Sequence, residues 1–349
     1  MYLEWAVEKL TSRLDLTRQE AGQVTEQLFS GNVPDEEIVA LLVALRAKGE
    51  TADEVVGFAQ VMRARAAETL CNAGVHLDEI ARAGPLLDTC GTGGDGQCTF
   101  NVSTAAALVA AAAGVRVAKH GNRSISSRCG SADVLEASGV AVDLPLQYIP
   151  ACLEKVGMVF LFAPHLHLAT KHVMNARRSL KTKTIFNLLG PLTNPLGATV
   201  QLVGVFERAR TEMLAQACAA VGTECAFVVA AHDGADEIST TGPTQLSEVK
   251  GGLVRTRDVA PEEFGLPRAA LGSFRGGDAH ANAAILRRVL NGERGAYRDV
   301  VLANSSAALV IAGKARTFPE GVEISVSAID SGAARRTLAA LADFTQKCK

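Results

Sequence analysis

Over residues 1–72 the apolar positions recur at helical intervals. Ile38, Leu41, Leu42 and Leu45 line one face of a predicted helix, and Val55, Phe58, Ala59 and Met62 line the next. Thr17-Arg-Gln-Glu20 and Thr51-Ala-Asp-Glu54 each fit a capping box, in which the threonine side chain and the glutamate three residues on satisfy free N–H groups at a helix start. Pro34-Asp-Glu-Glu37 opens a third helix with acids at its positive end. No strand signal precedes about residue 85. From there apolar runs alternate with helical stretches. Leu86-Leu87, Val115–Ala118, Val159–Phe162, Val200–Val205 and Cys225–Ala230 read as strands, and 103–113, Ala132–Ser138 and Arg210–Val221 as helices. Residues 171–189 break the alternation. They are basic, helical in character and closed by Gly190-Pro191, and are expected to fold back onto the N-terminal helices. Ser331–Gln346 reads as an amphipathic helix with Leu338 and Leu341 inward.

This pattern predicts an α/β protein: a small all-helical domain plus a larger α/β domain with a mostly parallel central sheet flanked by helices. The expected boundaries are 1–73, with about 171–191 packing back, for the helical domain, and 74–170 with 192–349 for the α/β domain. A chain of 349 residues is long enough for both. Its formal net charge of −2 gives no global attraction to nucleic acid or anionic lipid, so any affinity for phosphate has to be local. No stretch reads as membrane-spanning or as a signal peptide; Ala105–Val115 is too short, and residues 1–12 carry Glu4 and Glu8. Eight cysteines at irregular spacings, with no C-x-x-C pair, read as free thiols of a cytoplasmic protein.

Candidate chemistry concentrates at residues 88–104. Gly91, Gly93, Gly94 and Gly96 follow an apolar strand and precede an alanine-rich helix. Such glycines let backbone approach an anion, and the helix start supplies free N–H groups and a positive dipole end. A second glycine-broken loop, Lys119-His120-Gly121-Asn122-Arg123-Ser124, is basic. Two such loops, each ending a strand, point to a ligand with several phosphates. Gly91-Thr-Gly93-Gly94-Asp-Gly96 matches the dinucleotide fingerprint, but the helix starts too late and Arg116 and Lys119 stand where a ribose-binding acid belongs. The P-loop pattern is absent. His165, His167 and His172 lack the partners of a metal site.

Gly91-Thr-Gly-Gly-Asp95, Asn101-Val-Ser-Thr104, Lys119-His-Gly-Asn-Arg123, Gly130-Ser-Ala-Asp133 and Thr184-Ile-Phe-Asn-Leu-Leu-Gly-Pro-Leu-Thr-Asn-Pro195 occur in this order. Together they resemble the anthranilate phosphoribosyltransferases, of the nucleoside phosphorylase/phosphoribosyltransferase fold, over essentially the whole chain. The resemblance implies an enzyme of tryptophan biosynthesis that joins anthranilate to phosphoribosyl pyrophosphate (PRPP) and releases pyrophosphate. It implies Mg²⁺, two ions per subunit, and a homodimer formed through the helical domain. It assigns PRPP to Gly91, Gly94, Asp95, Thr99, Asn101, Val102, Ser103, Thr104, Lys119, His120, Gly121, Asn122, Arg123, Ser126, Ser127 and Ser131. Anthranilate falls to Gly91, Asn122, Arg177, His120, His167 and Pro191, with the guanidinium fork of Arg177 on the carboxylate. The metal falls to Ser103, Asp236 and Glu237. No covalent nucleophile is implied. The residues also have plainer readings: N-capping for Ser103, a solvated strand end for Lys119, and turn residues for the serines.

Departures from the family pattern cluster on the acceptor side. The usual His-Pro-Ala-Met-Lys run is His167-Leu-Ala-Thr-Lys171, a Leu-Gly pair is Leu180-Lys181, and an arginine before Thr184 is Lys183. The lost proline and glycine are expected to alter loop stiffness there. Two rival readings share the scaffold. A pyrimidine nucleoside phosphorylase has no need of paired metal acids, and a non-catalytic nucleic-acid-binding relative needs a basic groove; Asp236-Glu237, Asn122 and the net charge weigh against them.

Overall fold

The computed structural model describes residues 2–93, 99–124 and 128–349. Four helices, Tyr2–Thr11, Arg18–Phe29, Asp35–Lys48 and Ala52–Asn72, form the N-terminal part. Both predicted capping boxes are present. Glu20 N donates to Thr17 Oγ1 at 3.3 Å while Thr17 N donates to Glu20 Oε2 at 2.7 Å. Thr51 and Glu54 repeat the exchange at 3.3 and 2.9 Å. Each cap is worth about 1 kcal/mol. Glu54 is fully buried and also receives Lys48 Nζ at 3.0 Å and Leu16 N at 2.9 Å, so one cap residue ties three segments together.

The rest is built on one seven-stranded sheet: β1 (Leu87–Gly91), β2 (Val117–Gly121), β3 (Met158–Phe162), β4 (Val200–Gly204), β5 (Cys225–Ala231), β6 (Thr244–Lys250) and β7 (Leu253–Val259). The order is β3-β2-β1-β4-β5-β6-β7. β1 to β5 pair in parallel, and β6 and β7 join antiparallel. Five of these strands match the sequence expectation. β6 and β7 were not among the expected strands; β7 carries mostly exposed side chains, with Arg255 and Arg257 among them, and so has no apolar alternation. Helices Ile149–Val156, Ala279–Leu290, Ala296–Ile311 and Phe318–Asp330 were also unread.

Two apolar cores lie on opposite faces of the sheet. One packs Leu87, Val117 and Phe227 against the helices Val102–Ala112, Ala296–Ile311 and Ala333–Lys347. The other joins Cys90, Val203 and Val228 to the N-terminal helices. Residues 173–192 contribute to the second core through Val173, Ala176, Ile185 and Phe186, whose ring meets Phe58 edge-on at 6.0 Å. Arg46 donates to the Lys183 carbonyl across the same contact.

One local expectation is corrected. The helix Val102–Ala112 has Asn101 at its N-cap position, with no side-chain cap bond, so Ser103 lies inside the helix and does not cap it. Among the described residues no helix is long and apolar enough to cross a membrane, and seven cysteines are free.

Candidate active site

Strand order reverses between β1 and β4, where neighbouring strands send their chains to opposite sides and leave a crevice at their C-terminal ends. Both strands end in glycine. A Cβ on Gly204 would sit 1.7 Å from the Asp236 carbonyl, and one on Gly91 would sit 2.9 Å from Asp236 Oδ2. The loop after β5 therefore lies directly over the two strand ends, and only glycine admits it there. Asp233 shapes that loop, accepting from Ala235 N at 3.0 Å and from the hydroxyls of Ser239 and Thr241. Asn304 clamps it from behind: its Oδ1 accepts from Ile238 N at 3.0 Å and its Nδ2 donates to Ile238 O at 2.9 Å. Glu237 is thereby delivered to the helix start, where its Oε1 accepts from Ser103 N at 3.1 Å.

Lys119 is not a solvated strand end. It is 1% exposed, donates to the Thr89 carbonyl, and its Nζ lies 3.3 Å from Ser103 Oγ. Asp88, fully buried on β1, balances it. Its carboxylate accepts from Asn194 Nδ2 at 2.8 Å and from His120 N at 3.1 Å. Burial pushes Asp88 above its ordinary range and Lys119 below its own, while the attraction between them opposes both shifts. Ser103, Lys119 and the Asp236-Glu237 pair thus converge from three separate stretches of chain, with Glu237 and Lys119 on Ser103 and Asp236 over Gly91. Their oxygens are hard donors that suit Mg²⁺. Among the described residues no cluster of three or more acidic, histidine or cysteine side chains is gathered, so an ion here draws further ligands from water or substrate oxygens.

The second loop is closed by Asp133, whose Oδ2 accepts from Ser124 N at 3.0 Å and Gly130 N at 2.8 Å. A Cβ on Gly130 would lie 2.4 Å from Ser124 N, so this tight return requires glycine. Asn122 and Arg123 are exposed; Ser131 Oγ donates to the Asn122 carbonyl at 3.3 Å. Arg123 rests on Glu136 and Asp133 at 2.5 and 3.2 Å, which raises its pKa. Val102 and Thr104 are fully buried, and the Thr104 hydroxyl has no hydrogen-bond partner among the described residues. Their side chains serve the helix interior. Thr99 pairs with Arg275 in an isolated bridge. Gly94, Asp95, Ser126 and Ser127 lie outside the described residues.

The helical bundle domain of the glycosyl transferase family matches residues 6–66, and the a/b domain of that family matches residues 83–335. The chain is 50% identical over 340 residues to the anthranilate phosphoribosyltransferase of Pelotomaculum thermopropionicum, covering 97% of this chain and 96% of that protein. The chain belongs to the anthranilate phosphoribosyltransferase family. The crystal structure of the Thermus thermophilus enzyme is similar with a TM-score of 0.87 at 40% identity, covering 98% of this chain and 99% of that one. The Saccharomyces cerevisiae enzyme in complex with PRPP and Mg gives 0.86 at 26% identity, covering 99% and 98%.

The acceptor side that the family resemblance assigns lies beside the second loop. Arg177 is half-buried, its guanidinium 4.9 Å from the Phe186 ring centre, with Met174 Sδ at 3.8 Å. No carboxylate pairs with it among the described residues, and burial lowers its pKa. Arg178 is exposed, so the helix Met174–Leu180 turns only one of the two arginines inward. His120 and His167 are buried and meet Nε2 to Nε2 at 3.2 Å; His120 Nδ1 lies 3.1 Å from the Gly190 carbonyl, next to buried Pro191. Burial lowers both imidazoles, His167 to about 3, so the pair is neutral at pH 7. Lys181, where the family pattern has glycine, keeps left-handed backbone at φ 49°. A lysine at this φ carries a steric load that glycine would avoid.

Sequence reasoning missed Asp88, Asn282 and Asn304. Asp88 left a signal, a carboxylate inside an apolar strand run. The asparagines left none, since ordinary helical positions conceal their long-range partners. Cys90 and Cys129 are buried with thiols raised by desolvation, Cys129 to about 11, which makes them inert fillers.

Proposed function

We propose that this chain transfers the phosphoribosyl group of PRPP to the amine of anthranilate, giving N-(5-phosphoribosyl)anthranilate and pyrophosphate, a step of L-tryptophan biosynthesis. The carrying observation is the convergence of Ser103, Lys119 and the Asp236-Glu237 loop at the strand-order reversal, in a chain that also holds a half-buried arginine with no counter-ion among the described residues. The first loop, from Gly91 through Thr99 and Asn101 to Ser103, and the second, from Lys119 to Ser131, hold the donor; Gly94, Asp95, Ser126 and Ser127 complete them on this reading. Arg177, Asn122, His120, His167, Gly91 and Pro191 hold anthranilate.

An aromatic amine is neutral at pH 7, so attack on ribose C1 needs no prior deprotonation. The transition state resembles a glycosyl oxocarbenium ion, and the protein's task is to align two substrates and exclude water. Arg177 orients the acceptor through a carboxylate fork over the Phe186 ring. Lys119 supplies a fixed, poorly solvated positive charge under the donor. Ser103, Asp236 and Glu237 would hold Mg²⁺, with two ions per subunit once PRPP is bound. Mg²⁺, when present, offsets the charge of the departing pyrophosphate. A phosphorylase has no use for these acids, which favours the transferase.

The same reading divides the chain at about residue 73, with 171–191 attached to the helical part. It has two copies associating through that part, where Trp5 and Val43 expose apolar side chains, 38% and 46% accessible. It places the chain in the cytoplasm, where its free thiols stay reduced. Loss of anthranilate fluorescence tests the activity: it is expected only when PRPP and Mg²⁺ are both added. No loss under those conditions, or equal loss without PRPP, would overturn the reading.

A further inference from the structure

Three loops meet beside the first glycine loop, and one side chain links them. Phe100 N donates to the Phe274 carbonyl at 3.1 Å, bringing the stretch 274–278 alongside the start of helix Val102–Ala112. Asn282, in the first turn of helix Ala279–Leu290 and 1% exposed, accepts from Gly277 N at 2.7 Å. Its Nδ2 donates to Asn101 Oδ1 at 2.9 Å. Asn101 in turn donates from Nδ2 to the Cys129 carbonyl at 3.2 Å, and its Oδ1 accepts from Cys129 Sγ at 3.3 Å. The amide of Asn101 is therefore committed at both ends: two donors approach its oxygen, and its nitrogen reaches the second loop. A Cβ on Gly276 would come within 2.6 Å of Asn282 Oδ1 and 2.8 Å of Phe100 Cα, so the 274–278 stretch is pressed against this junction.

We propose that Asn282 is a positioning residue for the donor site: through Asn101 it fixes the spacing between the first loop and the 128–131 end of the second. The inference rests on the reading that these two loops hold PRPP. A buried amide with both ends engaged has only one orientation that satisfies all its partners, since reversing it would set donor against donor at Gly277 and acceptor against acceptor at Asn101. The brace thus sets a distance rather than merely filling space. Asn101 acts here as the middle link between Asn282 and the second loop. Asp278 caps the same helix independently, accepting from Ala281 N at 2.9 Å, so helix Ala279–Leu290 keeps its start without Asn282.

The test is steady-state kinetics on the full chain with Asn282→Asp and Asn282→Ser. The first keeps the acceptor for Gly277 and sets a carboxylate oxygen against Asn101 Oδ1. The second removes the amide without burying a charge, and carries the test should N282D fail to fold. The expected result is a KM for PRPP raised about tenfold or more, as for loss of one buried hydrogen bond with its partner left unpaired, with the KM for anthranilate within about twofold. PRPP with Mg²⁺ is expected to raise the Tm of the variant less than that of the wild type. Unchanged KM for PRPP, or equal rises for both substrates, would overturn the positioning role. An inactive wild type would instead overturn the transferase reading, so the two failures are distinguishable.

Discussion

Around the ends of β1 and β4, buried polar groups hold one another: Asp88 takes Asn194 and the His120 amide, Asn304 takes both backbone groups of Ile238, and Asn282 takes Asn101. In the 174–186 stretch, by contrast, Arg177 faces a phenyl ring and a thioether, and Lys181 sits in backbone that glycine prefers. On the proposed reading the β1–β4 end is the donor side, and its polar groups are held in place by one another. On the same reading the acceptor side keeps a guanidinium with no carboxylate partner among the described residues, available to a substrate carboxylate. The difference also shows where substitution is tolerated. Departures from the family pattern, Leu168, Thr170, Lys181 and Lys183, all lie on the acceptor side, where few long-range hydrogen bonds constrain identity.

The sharpest way to break this contrast is Asp236→Asn combined with Glu237→Gln. Turnover is expected to fall by about a thousandfold or more, as when preorganised charge stabilisation is removed, with far-UV circular dichroism unchanged. Full activity would refute the metal assignment. Arg177→Ala comes next. It should raise the KM for anthranilate about 30-fold to 100-fold, the value of a charge-assisted fork, and leave that for PRPP within about threefold. Equal rises would remove the distinction between the two sides.

A smaller effect concerns pH. Burial holds His167 neutral in the fold, with its pKa pushed down to about 3 from an ordinary 6.5. Below pH 6.5 the unfolded chain binds the proton and the folded one does not, so the stability this site contributes is complete above 6.5 and lost as the pH falls from there toward 3. The loss approaches about 1.4 kcal/mol per pH unit for each such histidine. Denaturant midpoints between pH 7 and 5 should show this slope, and His167→Gln should flatten it; an unchanged slope would contradict the buried pair. The smallest change is Lys181→Gly, expected to stabilise the fold by about 1 kcal/mol by relieving left-handed backbone. A loss of stability would show that the lysine side chain compensates for its own strain.

The parts of the fold legible in sequence were those with local causes. The two capping boxes lie within four-residue windows, and glycines mark both loops and strand ends. The helical start and the parallel strands follow from period alone. β7 was illegible because its side chains face solvent, and the acids Asp236 and Glu237 looked like any surface pair until the loop was seen to cross Gly91 and Gly204. For Lys119 it is the plainer reading, a solvated strand end, that fails. A charged residue near a strand end is usually solvated, and only the tertiary fold sets Asp88 and Ser103 around it. Asn101 and Asn282 are 181 residues apart, a separation no periodicity reports.

The central claim is that two adjoining loops at the β1–β4 crevice grip a pyrophosphorylated sugar. A crystal grown with PRPP and Mg²⁺ tests it directly. The account predicts pyrophosphate density between the 91–104 and 119–131 stretches, with a metal ion against Ser103 and Glu237 and the sugar carbon facing Arg177. Density for the sugar donor elsewhere on the molecule, with that crevice closed over its own side chains, would contradict it.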